Sequence, residues 1–418
     1  MLSVGKGPTE LDVRSTRGAT LTKVARTLDE VDAIANLWRS WECHPNSDMD
    51  AYLHTLASRP DVIAPYVITA LRDDVPEALL VGRCEWTSVP IRVGYRNLSE
   101  LKIRALTFIY GGQLGHLSLD ASRGAVRQVL SSLKTGEADI AFFNHLHAGS
   151  HLHSCVTTMP GFRARDPFPS LRIHRAMTVP ESVDAFFLRL SPKVRKNQRW
   201  QTRKLEADHP GDAKLRCFRD VSELEVLFRD VEEVARRTYQ RGLGVGFVNS
   251  PEMRGRLELS ARKGWLRAFV LYVAGAPWAF WIGTSYGQTF HSDFMGYNPV
   301  HSSYSPGMCL IMKVIEQFCN RTHSAGIKEI DFGLGDAQYK EILGDREWAD
   351  VSVYIFGPSM KGLATSLLRV PALLVERAAR AGLQRTGLVS RIKRIWREST
   401  RRRTMLGTRE TDQRCWPG

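Results

Sequence analysis

What most constrains this chain is a repetition: the same order of predicted elements is read twice, over residues 22–180 and again over 181–357. The first succession opens with a helix around Leu28–Trp41. Apolar strands APYVITAL, EALLVGR and ALTFIYG follow, then a helix near Ser122–Leu133, a strand ADIAFF, and a last strand LRIHRAMT expected to close that copy. The second opens with a helix across Val221–Arg241 and continues with strands LRAFVLYV, PWAFWIG and TFHSDFMGY. It goes on to a helix from Ser305, strand EIDFG, a short helix, and closing strand VSVYIFG. Pro76, Ala78 and Gly82 have the same spacing as Pro277, Ala279 and Gly283. Hairpins first and a crossover helix later predict an α/β (α+β) chain of tandem domains, each a mixed twisted sheet flanked by helices.

At 418 residues the chain is long enough for two or three cores, and 43% hydrophobic content is ordinary for a globular protein. Residues 1–21 read as a flexible N-terminus, with no basic region followed by an apolar core and cleavage site, so a cytoplasmic location is expected. The longest apolar run, LYVAGAPWAFWIG, is too short to span a bilayer and is broken by Gly275 and Pro277. Seven cysteines without a Cys-x-x-Cys pair disfavour structural zinc and a disulfide scaffold. A formal charge of +14 favours anionic partners, among which CoA, nucleic acid and anionic lipid all qualify.

The most legible local feature is HSSYSPGMCLIMKVIE. Leu310, Ile311, Val314, Ile315 and Phe318 recur at helical spacing, Ser305 suits an N-cap, and Pro306 suits the first helical position. Such an end offers unpaired N–H groups to an anion, although Ser-Pro-Gly can equally be only a well-made helix start. Its place after an apolar strand, where ligands gather in α/β sheets, favours the anion site.

From about Val183 to Phe356 the chain carries LRLSPKVRKNQRWQTRKLE, YQRG, GWLRAFVLYVAGAPWAFWIG, YSPGMCLIMKVIE and DFGLGDAQYKEILG, in that order. On these motifs it resembles the GNAT-type acetyltransferases associated with cellulose and exopolysaccharide biosynthesis, the CelD/BcsL group, with a two-domain plan like that of FemAB-type transferases. The resemblance implies a GNAT domain over 181–357, a degenerate GNAT-like domain over 22–180, and acetyl-CoA or another acyl-CoA as donor, with no metal. The family's Gln/Arg-x-x-Gly-x-Gly/Ala loop is replaced here by YSPGM. Phosphate contact would rest on the amides of Gly307 and Met308, aided by the Tyr304 and Ser305 hydroxyls.

Acyl transfer needs a base for the acceptor, a site for the carbonyl oxygen and a proton for the leaving thiolate. In TFHSDFMGY, His291 is the candidate base, and Asp293, two residues on along the strand, its orienter or a substrate ligand. A solvated polar pair is the plainer alternative. In DFGLGDAQYKE, Gly333 and Gly335 permit close backbone approach to the donor, Tyr339 could protonate the thiolate, and Lys340 could hold a phosphate or polarise the carbonyl. Tyr339 and Lys340 also suit an amphipathic surface pair. The run SPKVRKNQRWQTRK holds six basic residues and no acid; it reads as a solvated helix face or an electropositive approach to the donor. NHLHAGSHLH lacks nearby Cys or Glu at ligand spacing and is not read as a metal site.

Residues 358–418 read as a basic amphipathic helix and tail, suited to peripheral contact with an anionic membrane on its inner face, to nucleic acid, or to packing alone. The leading expectation is a cytoplasmic acyltransferase acting on a hydroxyl or amine of a sugar, polysaccharide precursor or other small-molecule or glycan acceptor. Two alternatives remain: a FemAB-like transferase using aminoacyl-tRNA, the one nucleic acid expected, and a non-catalytic glycan- or membrane-binding accessory protein.

Overall fold

The computed structural model describes residues 20–369 and 374, apart from 94–95, 239–240, 242–245, 321–325 and 336, with the backbone alone for 90–100. Most of the expected N-terminal segment, most of YQRG and most of the basic tail therefore lie outside the described residues.

Among the described residues twelve strands are formed: β1 (Thr20–Ala25), β2 (Val62–Arg72), β3 (Val75–Val93), β4 (Arg96–Gly115), β5 (Ile140–His147), β6 (Ser170–Thr178), β7 (Ala213–Phe218), β8 (Leu266–Val273), β9 (Ala276–Tyr286), β10 (Thr289–Tyr297), β11 (Glu329–Leu334) and β12 (Arg346–Phe356). They join edge to edge in one mixed sheet of order β1-β2-β3-β4-β5-β12-β6-β11-β10-β9-β8-β7.

The two halves repeat in detail. The β2–β3 hairpin turns on Asp73 and Asp74, and the β8–β9 hairpin on Ala274 and Gly275, all four with positive φ, as a two-residue turn between twisted strands requires. In both hairpins the residue after the shared proline is bulged: Pro76 and Ala78 pair with Leu71 and Ala70, skipping Glu77, and Pro277 and Ala279 pair with Tyr272 and Leu271, skipping Trp278. Proline lacks a ladder donor and is tolerated at such bulges. The shared glycines have a common cause too. A Cβ on Gly82 would stand 2.8 Å from the Phe108 ring, and one on Gly283 2.4 Å from that of Phe290.

Strand exchange joins the halves. The strands expected to close each copy each complete the other: β6 pairs antiparallel with β11, β12 pairs antiparallel with β5, and the two pair with each other at the centre. Strand periodicity reports which face a residue takes but not which strand lies alongside, so the exchange leaves no local mark. Helices cover both faces. The Pro306–Cys319 helix packs on β8, β9 and β10 through Leu310, Ile311, Val314 and Ile315, all at most 1% exposed. Each such side chain contributes about 1.5–3 kcal/mol by burial. The Leu224–Ala235 helix lies against β9 and β10. No helix among the described residues is long and apolar enough to cross a membrane.

Candidate active site

Strands β10 and β11 run parallel only from Thr289 to His291 against Glu329 to Asp331, and then separate. The last pair of that ladder is His291 beside Asp331, with Nδ1 of the imidazole 3.1 Å from Oδ2 of the carboxylate. The other carboxylate oxygen accepts from the Gly333 amide at 2.7 Å and lies 2.5 Å from Nε2 of His174 on the exchanged strand β6. His174 is fully buried, and its Nδ1 lies 3.0 Å from Asp350 Oδ2 on β12, while its ring stacks on Trp348 at 4.3 Å. An unbroken chain, Asp350–His174–Asp331–His291, thus crosses the strand exchange.

Burial alone would lower the pKa of His174, but the hydrogen bonds with Asp331 and Asp350 outweigh it and lift it to about 9. Burial would raise that of Asp331, yet the hydrogen bonds from His174 and His291 hold it well below the usual carboxylate range. Between the two carboxylates His174 is an imidazolium, and Asp331 is ionised. An ionised Asp331 takes the Nδ1–H of His291, which leaves the Nε2 lone pair as the proton acceptor.

The His291–Asp293 pair expected from their spacing does not form. A β-bulge between Ser292 and Phe294 places Asp293 as the extra residue, where it accepts from Thr284 Oγ1 at 2.8 Å and pairs with Arg256. Asp331 takes the orienting position instead. The Gly333 and Gly335 amides are not open to a donor: Gly333 donates to Asp331 and Gly335 to the Ile173 carbonyl at 3.1 Å. Both have positive φ, so their role is in turning the chain after β11. Lys340 is buried with its ammonium on the Leu334 carbonyl at 2.6 Å, and Tyr339 sets its ring edge on Phe332 at 5.9 Å. Both brace the loop after β11 rather than projecting from a surface helix.

At the Pro306–Cys319 helix the outcome is divided. Pro306 occupies the first turn as expected, but Ser305 is left-handed (φ 48°) and its hydroxyl makes no cap bond. A capping side chain needs extended backbone, which this φ denies. Cys309 bonds back to the Ser305 carbonyl, and among the described residues no side chain closes the Gly307 and Met308 amides. A Cβ on Gly307 would stand 3.2 Å from the Tyr297 ring, so this opening faces the end of β10. The Tyr304 hydroxyl is engaged by Asp208 at 2.9 Å, and its ring carries Lys204 at 4.7 Å. The predicted basic run is the helix Pro192–Asp208, which packs beside this opening.

His145, His147, His151 and His153 do not converge. His145 bonds Ser352, His147 lies 3.8 Å from Asp350, and His153 accepts from the Gly149 amide at its own helix start. Among the described residues the close donor set is His44, His291 and Asp331, with ligand atoms within 4.8 Å of one another. Burial and the neighbouring His291 lower the pKa of His44 to about 3, keeping it neutral. Its Nδ1 accepts the Asn46 amide at 3.1 Å, which puts its one proton on Nε2. A metal there would have to displace that bond and the His291–Asp331 bond, so the set is better matched to hydrogen bonding than to ligation.

Sequence reasoning missed Asp331, His174, Asp350 and His44. A histidine inside the apolar strand LRIHRAMT and an aspartate opening DVSVYIF were the available signals.

Residues 192–341, just over a third of the chain, match the family model described as Acetyltransferase (GNAT) domain. That segment holds His291, Asp331 and the open helix start, whereas His174 and Asp350 lie outside it. No curated protein matches the chain. Among solved structures the chain is similar to FemX, at 9% identity over 78% of this chain and 99% of that one, TM-score 0.47. It is similar to L-PGS from Bacillus licheniformis, at 12% over 80% and 99%, TM-score 0.44. It is also similar to a GCN5-related N-acetyltransferase from Sphaerobacter thermophilus, at 11% over 82% and 98%, TM-score 0.41. These remote likenesses carry nothing about substrate.

Proposed function

We propose that the chain is an acyltransferase of the GNAT type that moves an acyl group, acetyl in the simplest case, from CoA to a hydroxyl or amine of a sugar, polysaccharide precursor or related envelope compound. One observation carries this reading: a histidine with its Nδ1 held by an ionised carboxylate stands where β10 and β11 part. His291 Nε2 accepts the acceptor proton as the new bond to the acyl carbon forms, and the C–S bond to the carrier breaks. The imidazolium so formed can return its proton to the departing thiolate. Asp331 holds the ring and stabilises its charge, and His174 with Asp350 fixes Asp331.

The Gly307 and Met308 amides, with the basic Pro192–Asp208 helix beside them, suit the donor's phosphates. From Tyr297 back to His291 is a span of about 20 Å at the rise of a strand. The donor would therefore lie extended along β10. A transferase fed by aminoacyl-tRNA is the second reading, favoured by that same basic helix. Peripheral membrane contact through the C-terminal basic segment is compatible with either.

Thermal melting of the full chain separates them. Stabilisation by micromolar acetyl-CoA, with none from charged tRNA, is the expected result. Stabilisation by charged tRNA alone would transfer the reading to the second donor, and stabilisation by neither would remove both.

A further inference from the structure

After β12 the chain enters a helix, described over residues 360–369, that packs with the opposite face inward from an ordinary surface helix. Toward the fold it turns Gly362, Thr365 and Arg369. A Cβ on Gly362 would stand 2.5 Å from the carbonyl oxygens of Asp139 and Gly357, Thr365 is fully buried, and Arg369 lies 3.5 Å from the buried Asp166 and over the Tyr354 ring. Ser359 fixes the helix start, its hydroxyl donating to Asp139 at 2.8 Å and accepting the Gly362 amide at 3.0 Å. Met360, Leu363 and Leu367 recur at helical spacing on the other side and are 88%, 39% and 72% exposed, with Leu368 beside them at 48%. Polar contacts and a close glycine hold this helix to the fold, and its aliphatic side faces away.

A second apolar group stands at the same end of the molecule. The loop over residues 161–165 is tied to β12 through the Phe356 amide, which donates to the Ala164 carbonyl at 2.8 Å, and the Asp166 that follows it is the partner of Arg369. Phe162 in that loop is 94% exposed, and Arg163 and Arg165 beside it are exposed as well. An aromatic ring among arginines, next to a row of aliphatic side chains, suits the boundary between lipid headgroups and acyl chains.

Charge selects the partner. Past the helix, residues 375–418 carry twelve Lys and Arg against four Asp and Glu. A second copy of the chain would bring two such segments together and repel, and a nucleic acid would match the charge but leave the aliphatic side uncovered. An anionic bilayer matches both. We infer that the helix over residues 360–369, with Phe162, is the face by which the chain docks on an anionic lipid surface. This gives peripheral membrane contact a place in the fold, and it rests on neither donor reading.

Docking is read by co-sedimentation of the full chain with vesicles of phosphatidylcholine alone and of phosphatidylcholine with about one third phosphatidylglycerol. The anionic vesicles are expected to bind at least about tenfold more tightly than the neutral ones, and added salt to weaken them. Met360→Gln combined with Leu367→Gln alters no charge and should lower that affinity about tenfold with the melting temperature unchanged. Phe162→Ser should give a smaller loss in the same direction, and it serves if the double variant does not fold. No binding to the anionic vesicles would overturn the inference, as would unaltered affinity in the folded variants, which would leave the basic segment as the whole attachment. A melting temperature lowered by the glutamines, or a dimer that they dissolve, would overturn it too, by showing that the chain itself or a second copy covers this face. A chain stabilised by acetyl-CoA that ignores the vesicles would overturn the membrane face alone, and vesicle binding by a chain that acetyl-CoA does not stabilise would leave the face standing and remove the donor.

Discussion

The two halves end their parallel ladders at matching places, and the contents differ. In the first half β4 and β5 part after Phe108 and Phe143, whose rings stack at 4.5 Å and are at most 1% exposed. In the second half the same position holds His291 and Asp331. The helix that follows repeats the contrast. Ser118 is extended, caps the Ala121 amide at 3.2 Å, and is itself bonded by Arg72 and Glu77, whereas Ser305 is left-handed and caps nothing. One frame is thus filled and sealed, and the other keeps a polar pair and open amides. Shared strand geometry creates the gap in both halves, and the side chains at its mouth decide whether it becomes core or site.

The sharpest way to break that contrast is at the ladder end. His291→Gln removes the base while keeping a polar group of similar size, and turnover should fall by about 10²–10⁴-fold with the affinity for acetyl-CoA nearly unchanged, read by steady-state kinetics and calorimetry. Normal turnover would leave the second ladder end as inert as the first.

Next in size is the buried chain behind it. His174→Ala leaves Asp331 and Asp350 facing each other without the cation between them, and denaturant unfolding should show a loss of about 3–5 kcal/mol. Because the pKa of His174 is raised from 6.5 to about 9 in the folded chain, its contribution is fully present below about pH 6.5 and is lost as pH rises through 9. Melting temperature should therefore decline between pH 7 and 10, and less steeply in His174→Gln. A pH profile unchanged by that substitution would show that the imidazolium is not what binds the two carboxylates.

A smaller effect is expected at the helix opening. The first-half helix tolerates Asp120 in its first turn; Gly307→Glu places an acid in the open one, and its side chain would also press on Tyr297. CoA binding should weaken at least tenfold, about 1.4 kcal/mol, in a variant that still folds. Equal affinity would move the phosphate site elsewhere.

The least disruptive comparison pairs the two serines. Ser118→Ala should cost about 1 kcal/mol of stability through the lost cap, and Ser305→Ala less than about 0.5 kcal/mol, measured by urea unfolding. Equal losses would erase the distinction between sealed and open helix starts.

Much of the frame was legible because it is local. The β2–β3 and β8–β9 hairpins, the crossover helices and the spacing from Pro76 to Gly82 and from Pro277 to Gly283 all rest on neighbours within a few residues. The edge strands β1 and β7 escaped notice, since six residues of alternating exposure give too short a period to stand out. Of the candidate site, residue type and position single out His291 and the Gly307–Met308 opening. Spacing along one strand makes Asp293 the visible orienter, whereas neither the bulge that turns it away nor the strand that brings Asp331 alongside is visible in the sequence.

What the sequence determined by itself was the repeated order of elements, the face each strand buries and the presence of a proline-led helix after β10, because periodicity and turn chemistry act over a few residues. Only the tertiary structure decided that β6 and β12 change places, that His174 and Asp350, 176 residues apart, meet behind Asp331, and that Ser305 turns away from its helix. Those outcomes depend on which strand lies beside which and on the register between them, and both are set by packing across the whole sheet.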